Sequence, residues 1–368
     1  MKKNKNVLMI TSTGLLGGGP KQISFLLSKL KNKINIHLAC PKNNIFELDE
    51  NIEKKKIIYI QERRLSFDDF LSLYKYVKNQ KIDIVHSHGK GASIYGRLLS
   101  LVANIPHIYT FHGIHLTCHS LIYKIFYVAY ENIFGFLDNY KIFVSKSEIL
   151  SAKSNFLRIG RKSKVIFNGV EVMDEKIINS TNYELKKRLK IKKDDIVVTN
   201  ICRFVNQKNI FDFLKIANKC EDVYFLLIGY GKLEKNLKTF VYENKISNVF
   251  FLGQKKDVYK FLSITDIFLS TSLYEGLPIA LLEAMSMQIP LVASDVYGHI
   301  DLIDNFVSGF LYDIKDLNQA TLFIKLLAKN KKLRKFFGRN ARKKQVNKFS
   351  INTMCSEHYH LYLDMNQR

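Results

Sequence analysis

The chain has 368 residues, 47% of them hydrophobic, and 57 Lys plus Arg against 33 Asp plus Glu leave a formal charge of +24. That length exceeds one ordinary core and points to two domains. Five scattered cysteines without a Cys-x-x-Cys pair exclude a disulfide framework and a cysteine zinc site, and no apolar run reaches the roughly 20 residues that span a bilayer.

The N-terminus enters Val7-Leu8-Met9-Ile10 directly, and Thr11, Ser12 and Gly14 interrupt that run too soon for a signal peptide. The expected setting is the reducing cytoplasm or the inner face of the membrane. After this first strand, read at 7–12, comes Thr13-Gly14-Leu15-Leu16-Gly17-Gly18-Gly19-Pro20, leading into a helix from Lys21. Glycines let backbone amides approach an oxyanion and the helix start adds its positive end; a plain tight turn is the other reading. A dinucleotide fold would show Gly-x-Gly-x-x-Gly with an acidic residue closing the second strand, which here ends Leu38-Ala39-Cys40-Pro41, so an NAD enzyme is disfavoured.

Further strands of the first half read at 36–40, 57–60, 82–87, 107–111, 140–145 and 165–168. Histidines crowd this half: His86, His88, His107, His112, His115 and His119. Recognised zinc spacing is absent, and His86 and His88 are expected on opposite sides of their strand, so no metal is expected. His112 sits where the fifth strand opens, as a neutral imidazole able to hydrogen-bond a sugar hydroxyl. The helix 120–136 reads as ordinary core in preference to a membrane anchor, although an aromatic face flanked by Lys124 would suit an interface.

Residues 169–195 are polar, poor in strand formers, and read as a connection; the run Lys186-Lys187-Arg188 with Lys190 is expected on a solvated face. The second half repeats the strand pattern at 196–201, 224–229, 249–252, 267–271, 291–293 and 309–311. Short apolar strands alternating with helices give an α/β chain of two doubly wound, Rossmann-like domains facing a cleft, with ligands expected beyond the carboxyl ends of the strands. The expected division is 1–170, then 171–350, with 351–368 crossing back to the first domain.

Arg203 leaves the first strand of the second half and Lys208 precedes its helix, so both cations can converge on one diphosphate: a bidentate fork and a point charge. Glu275-Gly276-Leu277-Pro278-Ile279 leads through an apolar helix to Glu283. Pro278 fits the first helical position, Gly276 permits a tight entry, and the helix start offers unpaired amides to an anion. An ionised carboxylate within such a helix needs donors, because burying it alone costs several kcal/mol.

These residues resemble glycosyltransferase family 4, retaining nucleotide-sugar enzymes of the GT-B fold, over nearly the whole chain. The most specific element is the Glu-x7-Glu pattern of Glu275 and Glu283. It is joined by the Gly17-Gly18-Gly19 turn, Asn168-Gly169-Val170-Glu171, Arg203 with Lys208, and Gly309-Phe310-Leu311-Tyr312-Asp313. The resemblance implies that Glu283 binds the ribose hydroxyls of the donor and Glu275 its sugar. It further implies that Arg203, Lys208 and the amides of Leu277 and Ile279 hold the diphosphate, that His112 faces the transferred sugar, and that no cofactor or metal takes part. Two departures stand out: Cys202 replaces a glycine before the clamp arginine, tolerable if φ is negative there, and Tyr297-Gly298-His299-Ile300-Asp301 replaces a double glycine with a nearby glutamate.

Residues 1–170 carry 26 basic and 11 acidic side chains, against 31 and 22 in the rest. That bias suits a glycan or lipid-linked acceptor at an anionic membrane surface. No interleaved basic and aromatic motif points to nucleic acid. A non-hydrolysing nucleotide-sugar epimerase and a non-catalytic nucleotide-sugar or polyanion binder remain as other readings of the same residues.

Overall fold

A computed structural model describes residues 4–14, 17–42, 46, 50–114, 116, 120–160 and 162–365. The thirteen apolar runs are all strands, with ends displaced by a few residues. Those of the first half are β1 (Asn6–Thr11), β2 (Asn35–Cys40), β3 (Ile57–Tyr59), β4 (Ile84–His88), β5 (His107–Thr110), β6 (Tyr140–Phe143) and β7 (Ser163–Val165). Those of the second are β8 (Ile196–Ile201), β9 (Val223–Ile228), β10 (Val249–Gly253), β11 (Ile267–Ser270), β12 (Leu291–Ser294) and β13 (Gly309–Tyr312). They build two sheets, ordered β3-β2-β1-β4-β5-β6-β7 and β10-β9-β8-β11-β12-β13. Every pairing is parallel.

The continuous apolar runs follow from this topology, since crossover helices cover both faces of a parallel sheet and leave no solvated side. Met1–Asn168 with Ile351–Arg368 forms one compact unit and Gly169–Ser350 the other, each with its own sheet. In the first unit the helix Ile351–Asp364 buries Ile351, Met354, Cys355, Leu361 and Tyr362 in the same apolar cluster as Ile23, Leu26 and Leu27 of the helix Gly18–Leu30. In the second, Phe213, Phe225, Phe310 and Phe337 centre the core.

Several local expectations are corrected. The first helix begins at Gly18, not Lys21, with Gly17 in extended backbone as its N-cap; Leu15 and Leu16 of that turn lie outside the described residues. Pro278 is the N-cap of the helix Ile279–Ser286, not its first helical residue: its ψ of 120° is extended, and only its carbonyl joins the helical ladder, accepting from the Leu282 N–H. The stretch 169–195 holds two short helices, Glu175–Ile178 and Tyr183–Arg188. Lys186 is not on a solvated face: it is buried, and its Nζ donates to the carbonyls of Lys193 and Asp195 at 3.0 and 2.8 Å, which closes the turn into β8. The helix Leu121–Phe134 is not core either, since only Tyr127 and Glu131 are buried. Among the described residues no helix is long and apolar enough to cross a membrane.

Candidate functional site

In the second unit, the carboxyl ends of β8 and β11 bring two distant segments together. The turn Asn206–Lys208 is stitched to 271–274: Thr271 Oγ1 donates to the carbonyls of Lys208 and Asn209, both at 3.0 Å. Gln207 Nε2 donates to Tyr274 O at 2.9 Å, and Leu273 N–H to Gln207 O at 2.8 Å. These bonds deliver Lys208 Nζ onto Glu275 Oε1, which also accepts from Ser272 Oγ at 2.6 Å.

Glu275 is buried, which by itself pushes its carboxyl up; the Lys208 ammonium and the Ser272 hydroxyl oppose that and hold it below the ordinary value of 4.5. Glu275 is therefore an anion at neutral pH. The chemistry of the pair is asymmetric, because an ammonium has three donors and only one is committed to Glu275.

Behind this carboxylate lies a buried network. His299 Nδ1 donates to Ser294 O at 2.8 Å, which fixes the tautomer, so Nε2 accepts from Ser270 Oγ at 3.1 Å. Burial lowers the His299 pKa although Glu275 opposes the shift, and the ring is neutral. Gly298, φ +86°, carries the chain past Glu275 so closely that a Cβ there would sit 2.7 Å from Gly276 O and 2.8 Å from Glu275 Cβ.

Nothing in the sequence alone marks Ser272 or His299 as a site residue by its chemistry. The Tyr297–Asp301 departure is the one sequence signal that points to His299.

Glu283 is 2% exposed within the helix Ile279–Ser286, beside Tyr259, whose hydroxyl bonds Ser286. Gly276, Leu277 and Ile279 are buried along the entry to that helix. Arg203 is exposed and makes no ion pair among the described residues, in contrast to Lys208. Cys202 does not have positive φ, so its side chain is accommodated where a glycine stood in the resemblance; burial pushes its thiol up to about 12.

In the first unit, the Gly17–Gly19 turn meets His112: a Cβ on Gly19 would lie 3.4 Å from the imidazole. Glu148 ties the neighbouring loops by accepting from Val144 N–H at 2.7 Å and from Gly113 N–H. His86 and His88 share one side of β4, with ring centroids 4.2 Å apart, because alternate strand residues point the same way; the expectation of opposite sides is wrong.

The result is a column of rings, His358, His86, His88 and His112. His86 bonds Tyr362 Oη at 2.6 Å and Thr110 Oγ1 at 2.7 Å, and His88 Nδ1 bonds His112 Nε2 at 3.2 Å. Burial lowers every pKa in the column, to about 4 at His112 and His358, reinforced by neighbouring histidines at His86, His88 and His112 and by Lys164 at His358. His107 lies apart, on Asp138 at 3.0 Å and Ser87 at 2.9 Å. His115, Cys118 and His119 lie outside the described residues. Among the described residues no group of three or more His, Cys, Asp or Glu could hold a metal ion.

Comparison with known proteins covers both units. The family model described as Glycosyltransferase Family 4 matches residues 16–173, and that described as Glycosyl transferases group 1 matches 182–344. An Escherichia coli UDP-Gal:alpha-D-GlcNAc-diphosphoundecaprenol alpha-1,3-galactosyltransferase is 30% identical over 80% of this chain and 79% of its own. A Campylobacter jejuni N,N'-diacetylbacillosaminyl-diphospho-undecaprenol alpha-1,3-N-acetylgalactosaminyltransferase is 25% identical over 92% and 93%. Among solved structures, Anabaena HepE in complex with UDP and glucose superposes with a TM-score of 0.85 at 17% identity, covering 98% of this chain and 100% of that one. Two Rossmann-like parallel sheets, family models over both halves and a relative of this identity and coverage place the chain in the glycosyltransferases of GT-B fold.

Proposed function

We propose that the protein is a retaining, family 4 glycosyltransferase. In this reading it moves a hexosyl or N-acetylhexosaminyl group from a nucleoside-diphosphate sugar to a hydroxyl of a lipid-linked glycan in bacterial surface polysaccharide or glycoconjugate synthesis. The observation that carries it is the Lys208–Glu275 pair at the carboxyl ends of β8 and β11, in the same unit as the buried Glu283. Lys208, with two donors to spare, and Arg203 hold the diphosphate and neutralise the charge that grows on it as the glycosidic bond breaks, aided by the amides of Leu277 and Ile279. Glu275 meets the donor sugar and Glu283 the ribose; His112, neutral at physiological pH, donates to or accepts from a sugar hydroxyl. The cations do the work a divalent ion does elsewhere, so EDTA is expected to leave turnover unchanged. Lipid-diphosphate acceptors in the names of the E. coli and C. jejuni relatives, and UDP with glucose in the HepE structure, support the substrate classes.

The test is product analysis with a panel of nucleotide sugars and lipid-diphosphate-linked acceptors, reading the anomeric configuration by NMR; an inverted product overturns the retaining assignment. Glu283→Ala is expected to weaken nucleotide binding at least about tenfold, the loss of a charge-assisted hydrogen bond. Lys208→Ala is expected to lower kcat about 10²- to 10³-fold with little change in nucleotide affinity. Wild-type kinetics in either variant, with an unchanged melting curve, removes that residue from the mechanism.

A further inference from the structure

The helix Leu121–Phe134 turns Tyr127 and Glu131, four residues apart, toward the core and leaves an outer surface that is mostly apolar, interrupted by Lys124 and Asn132. Leu121, Ile122 and Phe126 are each about 70% exposed, at 71%, 68% and 71%, and Ile125 and Ile133 are exposed with them. Phe136 follows in the next turn, and Phe156 joins through Asn132, whose Nδ2 donates to Phe156 O at 2.9 Å and whose Oδ1 accepts from Arg158 N–H at 2.7 Å. Isolated exposed apolar side chains are ordinary; a cluster drawn from one helix and the two loops beside it marks an interaction surface.

Its charge names the partner. Residues 84–170 contain ten Lys or Arg and three acids, Glu131, Asp138 and Glu148. All three carboxylates are buried, two of them on Arg97 at 2.6 and 2.8 Å. No acidic side chain is therefore exposed among the described residues of this stretch, while Lys153, Arg158 and Lys162 are.

A second copy of the chain fits poorly, because a two-fold contact sets the same cationic rim against itself. The helix is also too short to span a bilayer: its 14 residues extend about 21 Å against a hydrocarbon core of about 30 Å. We propose that this face lies in the plane of an anionic lipid surface, with Leu121, Ile122, Ile125, Phe126, Phe136 and Phe156 inserted at the headgroup boundary and the surrounding Lys and Arg on lipid phosphates. No residue of this face belongs to the donor-site set, so lipid binding and sugar transfer are tested separately.

The experiment is flotation of the full-length protein with phosphatidylcholine vesicles, with and without phosphatidylglycerol, at low and high salt. The wild type is expected to float with the anionic vesicles, and Ile122→Asp with Phe126→Asp to reduce partitioning at least about tenfold, because the apolar area that drives insertion is lost. Phe136→Asp with Phe156→Asp supplies the same loss from different elements, should the helix variant fold poorly. Transfer to a soluble acceptor analogue is expected to survive both. Wild-type flotation of both double variants, absence of wild-type flotation, or a sedimentation dimer that the variants dissociate overturns the proposal. Loss of sugar transfer with flotation intact bears on the catalytic reading alone.

Discussion

Glu275 shows how one side chain in this protein acquires its chemistry. An acid at that position in the sequence has an ordinary pKa; the folded chain buries it, then supplies Lys208 and Ser272 as donors. Its folded pKa lies below the unfolded value of 4.5, so ionised Glu275 stabilises the native state fully above that value, and the contribution is lost as pH falls through the lower, folded pKa. The melting-temperature gap between wild type and Glu275→Gln is therefore expected to be constant from about pH 6 to 8 and to close as the pH drops below about 4, the carboxylate range. A gap that stays open in acid would mean that the carboxylate charge contributes nothing. Spacing along the chain said nothing of this pair, because Lys208 and Glu275 are 67 residues apart and only the Thr271 and Gln207 hydrogen bonds align them.

Elements succeed or fail as packing units, and Gly298 marks a place where packing leaves no slack. It enters the helix His299–Leu302 with φ +86°, against backbone and Cβ atoms of Glu275 and Gly276 that cannot swing aside. Gly298→Ala is expected to cost about 1–3 kcal/mol of stability from the strained backbone, and to lower kcat as Glu275 shifts; calorimetry and initial rates together check it. Unaltered melting and turnover would show that this turn yields freely. The helix Leu121–Phe134 makes the complementary point. Its apolar residues mark a helix unmistakably, yet whether such a helix is covered depends on what packs over it, and nothing in its own sequence records that.

For the whole molecule, the instructive segment is the last helix. Ile351–Asp364 follows the second unit in sequence but completes the core of the first, and Tyr362 reaches His86 there. Removing everything after Ser350 strips several buried side chains from that core, each worth about 2–5 kcal/mol, and their sum is comparable with the whole 5–15 kcal/mol stability of a domain. The truncated chain is expected to lose the calorimetric transition of the first unit while retaining that of the second; two intact transitions would contradict the packing described. The amino-acid sequence by itself determined the two parallel sheets, because a strand buried on both faces must be apolar at every position and such runs are visible without any partner. Tertiary structure alone decided which charges meet, which histidines stack and which apolar helix stays uncovered, since each depends on atoms that approach from elements far away in the chain.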